Sequence, residues 1–323
     1  MKVIVIGLGS MGKRRIRLIR QLDETIEIVG VDSREDRRRD AQSLYHIGTA
    51  ESIEECSNGA VAAFVCTSPL SHHVIITECL NQELHVFTEL NLVADDYDKN
   101  MQLASEKGLK LFLSSTILYR DEVKYINRRV ASSKGRVNYT YHVGQYLPDW
   151  HPWENYKDFF VGDARTNGCR EFLAIELPWI QKVFGEISEV EVRKSKNSSL
   201  NLSYNDNYMI LIEHMSGAKG MLAVDVLSRK AVRTLEVYSE DLYLSWDGSG
   251  NGLYDYDIEK KEDCHVELYE KVDHQEGYNQ SIVENAYLSE VERFFSYIAG
   301  EKIPEYGFVE DKKTIKWLDL IEG

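Results

Sequence analysis

Residues 1–32 read MKVIVIGLGSMGKRRIRLIRQLDETIEIVGVD, and the order of their parts decides the fold. A short apolar, β-branched run at 3–6 passes directly into Gly7-Leu8-Gly9-Ser10-Met11-Gly12. A helical pattern follows over 13–22, then a second apolar run over 26–31 that ends in Asp32. In a glycine turn of this GxGxxG form, Gly7 permits the tight bend, Gly9 lets a pyrophosphate approach the backbone, and Gly12 lets the helix pack close to the strand. Asp32 stands twenty residues beyond Gly12, where a carboxylate accepts hydrogen bonds from both hydroxyls of a ribose. Gly7, Gly9, Ser10, Met11, Gly12, Asp32, Ser33 and Arg34 are therefore candidate dinucleotide-binding residues. Asp32 repels the extra phosphate of NADP and favours NAD. Arg34 and Arg37, Arg38 and Arg39 leave NADP open, because an arginine can pair with a phosphate, although such residues also make an ordinary solvated helix face.

Outward from this unit the same alternation continues. Helical patterns at 34–45, 72–81 and 95–107 separate apolar runs at 61–66, 85–88 and 110–114. Continuous apolar strands between helices predict a doubly wound parallel sheet covered on both faces. After Thr116 the pattern changes to a helix over 121–132, an alternating run over 136–146 and a helix over 171–184. Strand-like runs then extend from 190 to about 268, with turn signals at Asn205-Asp206, Ser216-Gly217 and Asp247-Gly248. Strands in series predict a largely antiparallel sheet. Helical patterns at 289–299 and 310–321 close the chain. The expected organisation is α/β over 1–117 and an α+β domain with an open sheet over 118–323.

The 323 residues carry 38 Lys+Arg against 53 Asp+Glu, a net charge of −15, with 43% hydrophobic residues and only 5 prolines. That is globular composition, and its acidity argues against nucleic acid as a partner. Residues 1–40 nonetheless hold ten basic and seven acidic side chains, +3, which leaves −18 for the remainder. No apolar stretch approaches the roughly 20 residues of a membrane span. Five cysteines, an odd number without a CxxC pair, read as reduced thiols of a cytoplasmic protein, and the spacing of His and Cys signals no metal site.

The run GLGSMGKRRIR, then CTSPLSHH at 66–73 after the third strand and HVFTELNL at 85–92 after the fourth, resembles in its order the Gfo/Idh/MocA oxidoreductases. Segments 144–150, 173–185 and 233–248 are similar to that family's substrate domain. The resemblance implies that Cys66, Thr67, Ser68 and His73, or His72 if the register slips by one, lie along the cofactor's pyrophosphate and nicotinamide-side ribose. It implies that Glu89, the Glu of the family's EKP, sits beside that ribose. Two expected groups are replaced: the family's proton-handling lysine falls at Leu90, with Asn91 at its proline, and the histidine of the pattern GGGxxxDxxxH falls at Ile175. Neither leucine nor isoleucine can do acid or base work.

Glu171, Glu176 and His151 are the candidate replacements. Glu171 and Glu176 are five apart, about 140° around a helix axis, so both cannot point into one site. The segment 145–156, QYLPDWHPWENY, combines aromatic faces with amides and carboxylates as a carbohydrate-recognition loop would. The expected function is NAD-dependent hydride transfer on a hydroxyl or ketone of a sugar-like substrate, in a homo-oligomer. The alternative is a dinucleotide-binding sensor or accessory protein of a carbohydrate pathway, motivated by Leu90 and Ile175.

Overall fold

In the computed structural model, which describes residues 1–150, 154–274 and 282–323, the apolar runs of the first part become parallel strands. They are β1 (Lys2–Ile6), β2 (Glu27–Val31), β3 (Gly48–Ala50), β4 (Ala60–Val65), β5 (His85–Thr88) and β6 (Leu111–Leu113), in sheet order β3-β2-β1-β4-β5-β6. Between them run α1 (Ser10–Leu22), α2 (Glu35–Tyr45), α3 (His72–Asn81) and α4 (Tyr97–Lys107). Val3, Ile4, Val5, Ala62, Ala63 and Phe64 are fully buried, as strands covered on both faces require. The strand order reverses between β1 and β4, and ligands of such sheets bind outside the strand ends at that point.

The second part supplies α5 (Asp121–Ser132), β7 (Asn138–Gly144), α6 (Gly168–Phe184) and the strands β8 (Ile187–Ser195), β9 (Asn207–His214), β10 (Lys219–Asp225), β11 (Val232–Tyr238), β12 (Tyr243–Trp246), β13 (Leu253–Asp257) and β14 (Glu262–His265). The eight-stranded sheet has the order β14-β13-β12-β11-β7-β10-β9-β8 and is antiparallel except where β7 pairs with β10. Its strands alternate. In β9 the residues Tyr208, Ile210 and Ile212 are buried, while Met209 and Leu211 face outward.

The chain ends with α7 (Glu284–Ile298) and α8 (Phe308–Glu322). By compactness one unit comprises Met1–Ser115 with Tyr287–Ile315, and the other Thr116–Ala286 with Lys316–Gly323. Residues 287–315, read from the sequence as part of the second domain, thus group with the first. The reason is visible in the aromatic core: Phe64, Phe87 and Phe112 of adjacent strands stack in series at 4.9 and 5.1 Å, and Phe294 of α7 meets all three at 5.2, 5.5 and 5.6 Å. Such ring pairs add about 0.5–1.5 kcal/mol each beyond buried area.

Candidate functional site

The glycine turn has the geometry its sequence implies. Gly7 takes φ +88°, open to glycine at little cost, and a Cβ there would lie 2.7 Å from the Cys66 carbonyl oxygen. A Cβ on Gly12 would lie 1.9 Å from the Gly7 oxygen. Gly9 differs. Its φ of −76° and ψ of −161° suit any residue, and among the described residues an added Cβ meets only Arg37 Nη1, at 3.7 Å. The space at Gly9 is open, and no side chain caps the helix that starts there. This is a cradle that a side chain would fill, and the residues fit a dinucleotide. Replacing Gly9 by Val is expected to leave stability within about 0.5 kcal/mol while weakening NADH binding on the order of tenfold or more, read by fluorescence titration. Unfolding of the variant, or undiminished binding, would contradict that role for the turn.

Asp32 ties the turn to the end of β2. Its Oδ2 accepts from the Leu8 N–H at 2.8 Å and its Oδ1 from the Arg34 N–H at 2.9 Å. Ser10, Ser33 and Arg34 are exposed, and Met11 is partly buried. The second turn, Cys66-Thr67-Ser68, lies against the first, with the Cys66 N–H donating to Ile6 O at 2.7 Å. His72 is buried, and its Nε2 lies 3.0 Å from Thr67 O while its Nδ1 lies 2.7 Å from Asn91 Oδ1. Burial lowers its pKa, so the neutral ring braces the turn through Nε2–H. His73 is more exposed and pairs with Asp96 at 3.0 Å.

Glu89, at the end of β5, is held by a residue the sequence reading did not single out. Arg15 of α1 donates from Nε to Glu89 Oε1 at 2.6 Å and from Nη2 to Oε2 at 3.0 Å. Arg15 Nη2 also reaches Glu290 at 2.8 Å and Ser114 at 3.2 Å. Burial alone would lower the guanidinium pKa, but the carboxylates of Glu89 and Glu290 outweigh it and raise it. Cys66 Sγ lies 3.7 Å from Glu89 Oε1, and burial pushes this thiol well up, so it stays protonated. No local signal marks Arg15, because its partners are 74 and 275 positions away.

In the other unit, α6 separates the two acidic candidates. Glu176 is fully buried. Tyr141 donates to it at 2.7 Å, Trp179 Nε1 at 2.6 Å, and Arg233 Nη2 pairs at 2.6 Å. Burial first, and then this carboxylate, push the Tyr141 hydroxyl well up. Arg170 is likewise engaged, with Asp319 at 2.6 Å and with Glu322. Glu171 has a different setting: it is partly buried, its Oε2 is closed off from solvent, and no hydrogen-bond partner meets that oxygen among the described residues. Burial pushes its pKa up to about 7. Glu171 lies four residues before Ile175, one helical turn away on the same face. Trp150 contacts Phe172 edge-on at 4.9 Å and donates from Nε1 to Gln145 O at 3.2 Å, so the start of the aromatic loop packs on the first turns of α6. His151, with Pro152 and Trp153, lies outside the described residues. Leu90 and Ile175 are both partly buried.

Residues 1–115 match the model of an oxidoreductase family with an NAD-binding Rossmann fold, GFO_IDH_MocA. The myo-inositol 2-dehydrogenase of Thermotoga maritima is 30% identical over 119 residues, which span 35% of this chain and 35% of that protein. The chain therefore matches about a third of that relative's length. Among solved structures, the UDP-N-acetylglucosamine 3-dehydrogenase GnnA from Acidithiobacillus ferrooxidans superposes with a TM-score of 0.77 at 15% identity, over 100% of this chain and 96% of that one. The WlbA dehydrogenase from Bordetella pertussis, in complex with NADH and UDP-GlcNAcA, has a TM-score of 0.77 at 15% identity, over 99% and 95%. At these identities the two structures speak for the fold. Among the described residues, no group of three His, Cys, Asp or Glu side chains could hold a metal ion, and no helix is long and apolar enough to cross a membrane.

Proposed function

With its first 115 residues belonging to the NAD-binding Rossmann fold of the Gfo/Idh/MocA oxidoreductases, we propose that this protein is an NAD(H)-dependent oxidoreductase in which Glu171 handles the proton. The substrate we assign is a sugar derivative bearing a secondary hydroxyl or the corresponding ketone. The myo-inositol and UDP-N-acetylglucosamine dehydrogenases among the similar proteins, and the UDP-GlcNAcA held by WlbA, support that class. When bound, NAD supplies the acceptor for a hydride leaving the substrate carbon. Gly7, Gly9, Ser10, Met11 and Gly12 would hold its pyrophosphate, and Asp32, Ser33 and Arg34 its adenosine ribose. Cys66, Thr67, Ser68 and His73 would lie along the rest, with Glu89 beside the nicotinamide ribose. His72 acts by bracing the Thr67 carbonyl.

The observation that carries the reading is the Glu171 carboxyl: buried at one oxygen, unpartnered there, and raised to about 7. In the pattern GGGxxxDxxxH the acidic position stands four before the histidine, and with Ile175 at the histidine it falls on Glu171. As carboxylate, Glu171 takes the hydroxyl proton while the C–H electron pair departs as hydride. As carboxylic acid it returns the proton in the reverse direction. Glu176 serves the fold, its two oxygens being held by three donors. Turnover of a panel of sugars and nucleotide sugars, followed by NADH absorbance, tests the proposal. Calorimetric binding of NADH without turnover of any of them would favour the sensor reading that Leu90 motivates.

We assign the open face of the eight-stranded sheet to a second copy of the chain. Leu211 pairs with Met221 across β9 and β10, Met209 is adjacent, and the three are 51%, 49% and 53% exposed. Apolar side chains clustered on an uncovered sheet face call for cover. Leu211→Glu is expected to turn an oligomer into a species near 37.2 kDa by light scattering. A wild-type mass near that value would refute the assignment. The five free cysteines suit a reducing compartment such as the cytoplasm.

A further inference from the structure

Four arginines follow Asp32, and the structure distinguishes them. Arg34 is bound to Asp36, at 2.5 Å from Nη2 and 3.1 Å from Nε, and Arg39 pairs with Glu35. Arg38 donates from Nη1 to the carbonyls of Asp32 at 2.6 Å and Ser33 at 3.0 Å, and its Nη2 lies 3.6 Å from Glu51. Arg37 is directed to the glycine turn instead. Its Nη1 lies 3.7 Å from Asp32 Oδ2 and 3.7 Å from where a Cβ on Gly9 would stand. The Arg37 side chain is 40% exposed, whereas that of Asp32 is 7% exposed.

This separation lies within ion-pair range but beyond a hydrogen bond, so the Arg37 donors are not taken up by the carboxylate they neutralise. A lone carboxylate here would accept ribose hydroxyls and repel a phosphate monoester. A guanidinium beside it cancels that field and offers paired N–H donors of the geometry a phosphate accepts. We infer that Arg37 is a specificity-determining residue that opens this NAD site to the dinucleotide phosphorylated on the adenosine ribose, so that the protein binds both forms. The inference rests on the reading of the glycine turn as a dinucleotide site.

The test is calorimetric titration of the whole chain with NADH and with NADPH, for wild type, Arg37→Gln, Arg37→Lys and Arg39→Gln. Wild type is expected to bind both. Arg37→Gln should weaken NADPH on the order of tenfold or more and NADH by less than about threefold. Arg37→Lys should recover part of the NADPH affinity, and Arg39→Gln, whose guanidinium is paired with Glu35, should alter neither ligand by more than about threefold. Added salt should weaken NADPH more than NADH. Wild type that binds NADH but not NADPH overturns the inference and leaves the dinucleotide site standing, as does an Arg37→Gln variant that loses both ligands equally. Binding of neither ligand by wild type overturns the site and the inference together.

Discussion

Glu171→Gln lowers turnover on the order of 10²–10⁴-fold and leaves NADH affinity within about twofold, since no cofactor role falls on α6. The amide keeps the shape of the carboxyl and cannot exchange a proton. The wild-type rate carries the same signature along pH. Oxidation of a hydroxyl needs the carboxylate, so its rate rises with pH through about 7, and reduction of a ketone needs the acid, so its rate falls through the same region. Stability supplies a readout that does not depend on substrate. Burial raises the Glu171 pKa from its ordinary 4.5 to about 7. Between those values the folded chain binds a proton that the unfolded chain has lost, so its contribution is full below the lower value and is lost as pH rises through the upper one. Glu171→Gln removes that dependence, and its melting temperature relative to wild type should improve from about pH 5 to about pH 8. A variant with undiminished turnover would remove Glu171 from the mechanism. A pH-independent stability difference would show that its carboxyl is not buried in solution.

Arg15→Met costs about 3–5 kcal/mol of folding stability, the largest loss we expect from a single substitution in the parallel-sheet unit. The guanidinium is fully buried and joins Glu89, Glu290 and Ser114. Methionine keeps much of the volume and the contact with the Phe87 ring, which the guanidinium carbon now approaches to 4.4 Å. It leaves two carboxylates in the interior without their shared cation. Arg15→Lys should lie between, because an ammonium cannot reproduce the paired contacts to Glu89. Combining Arg15→Met with Glu290→Leu should recover part of the loss, since removing a charge together with its partner is less harmful than stranding it. Denaturant unfolding at fixed pH measures all three. A loss below about 1 kcal/mol for Arg15→Met would show the network to be dispensable.

The elements with a clear period were legible from residues alone. The helix over 72–81 and the strand over 85–88 occupy the positions their patterns predict, as does the helix over 121–132. β3 escaped because three residues, Gly48–Ala50, are too short to show a period. The parallel pairing of β7 with β10 escaped because nothing local records which strand a strand will meet. The grouping of α7 with the first unit escaped for the same reason. Within the candidate site, Gly7 and Gly12 were legible because close backbone approach dictates glycine there, and Asp32 because it stands at a fixed spacing beyond the turn it ties to β2. The difference between Glu171 and Glu176 was not. Both are acidic residues of one helix, and two of the three donors that hold Glu176, Tyr141 and Arg233, are brought by the distant strands β7 and β11.

The closure of the aromatic core by Phe294 also constrains how the chain is made. The first 113 residues already hold every strand of the parallel sheet, yet one side of Phe64, Phe87 and Phe112 waits for a helix that begins at Glu284. Arg15 waits equally for Glu290, 275 positions later. At synthesis rates of about 5–20 residues per second the nascent sheet spends roughly ten seconds or more with that flank uncovered. The parallel sheet is therefore translated well before it is completed, and α7 acts as the keystone of strands that precede it by some 170 residues or more.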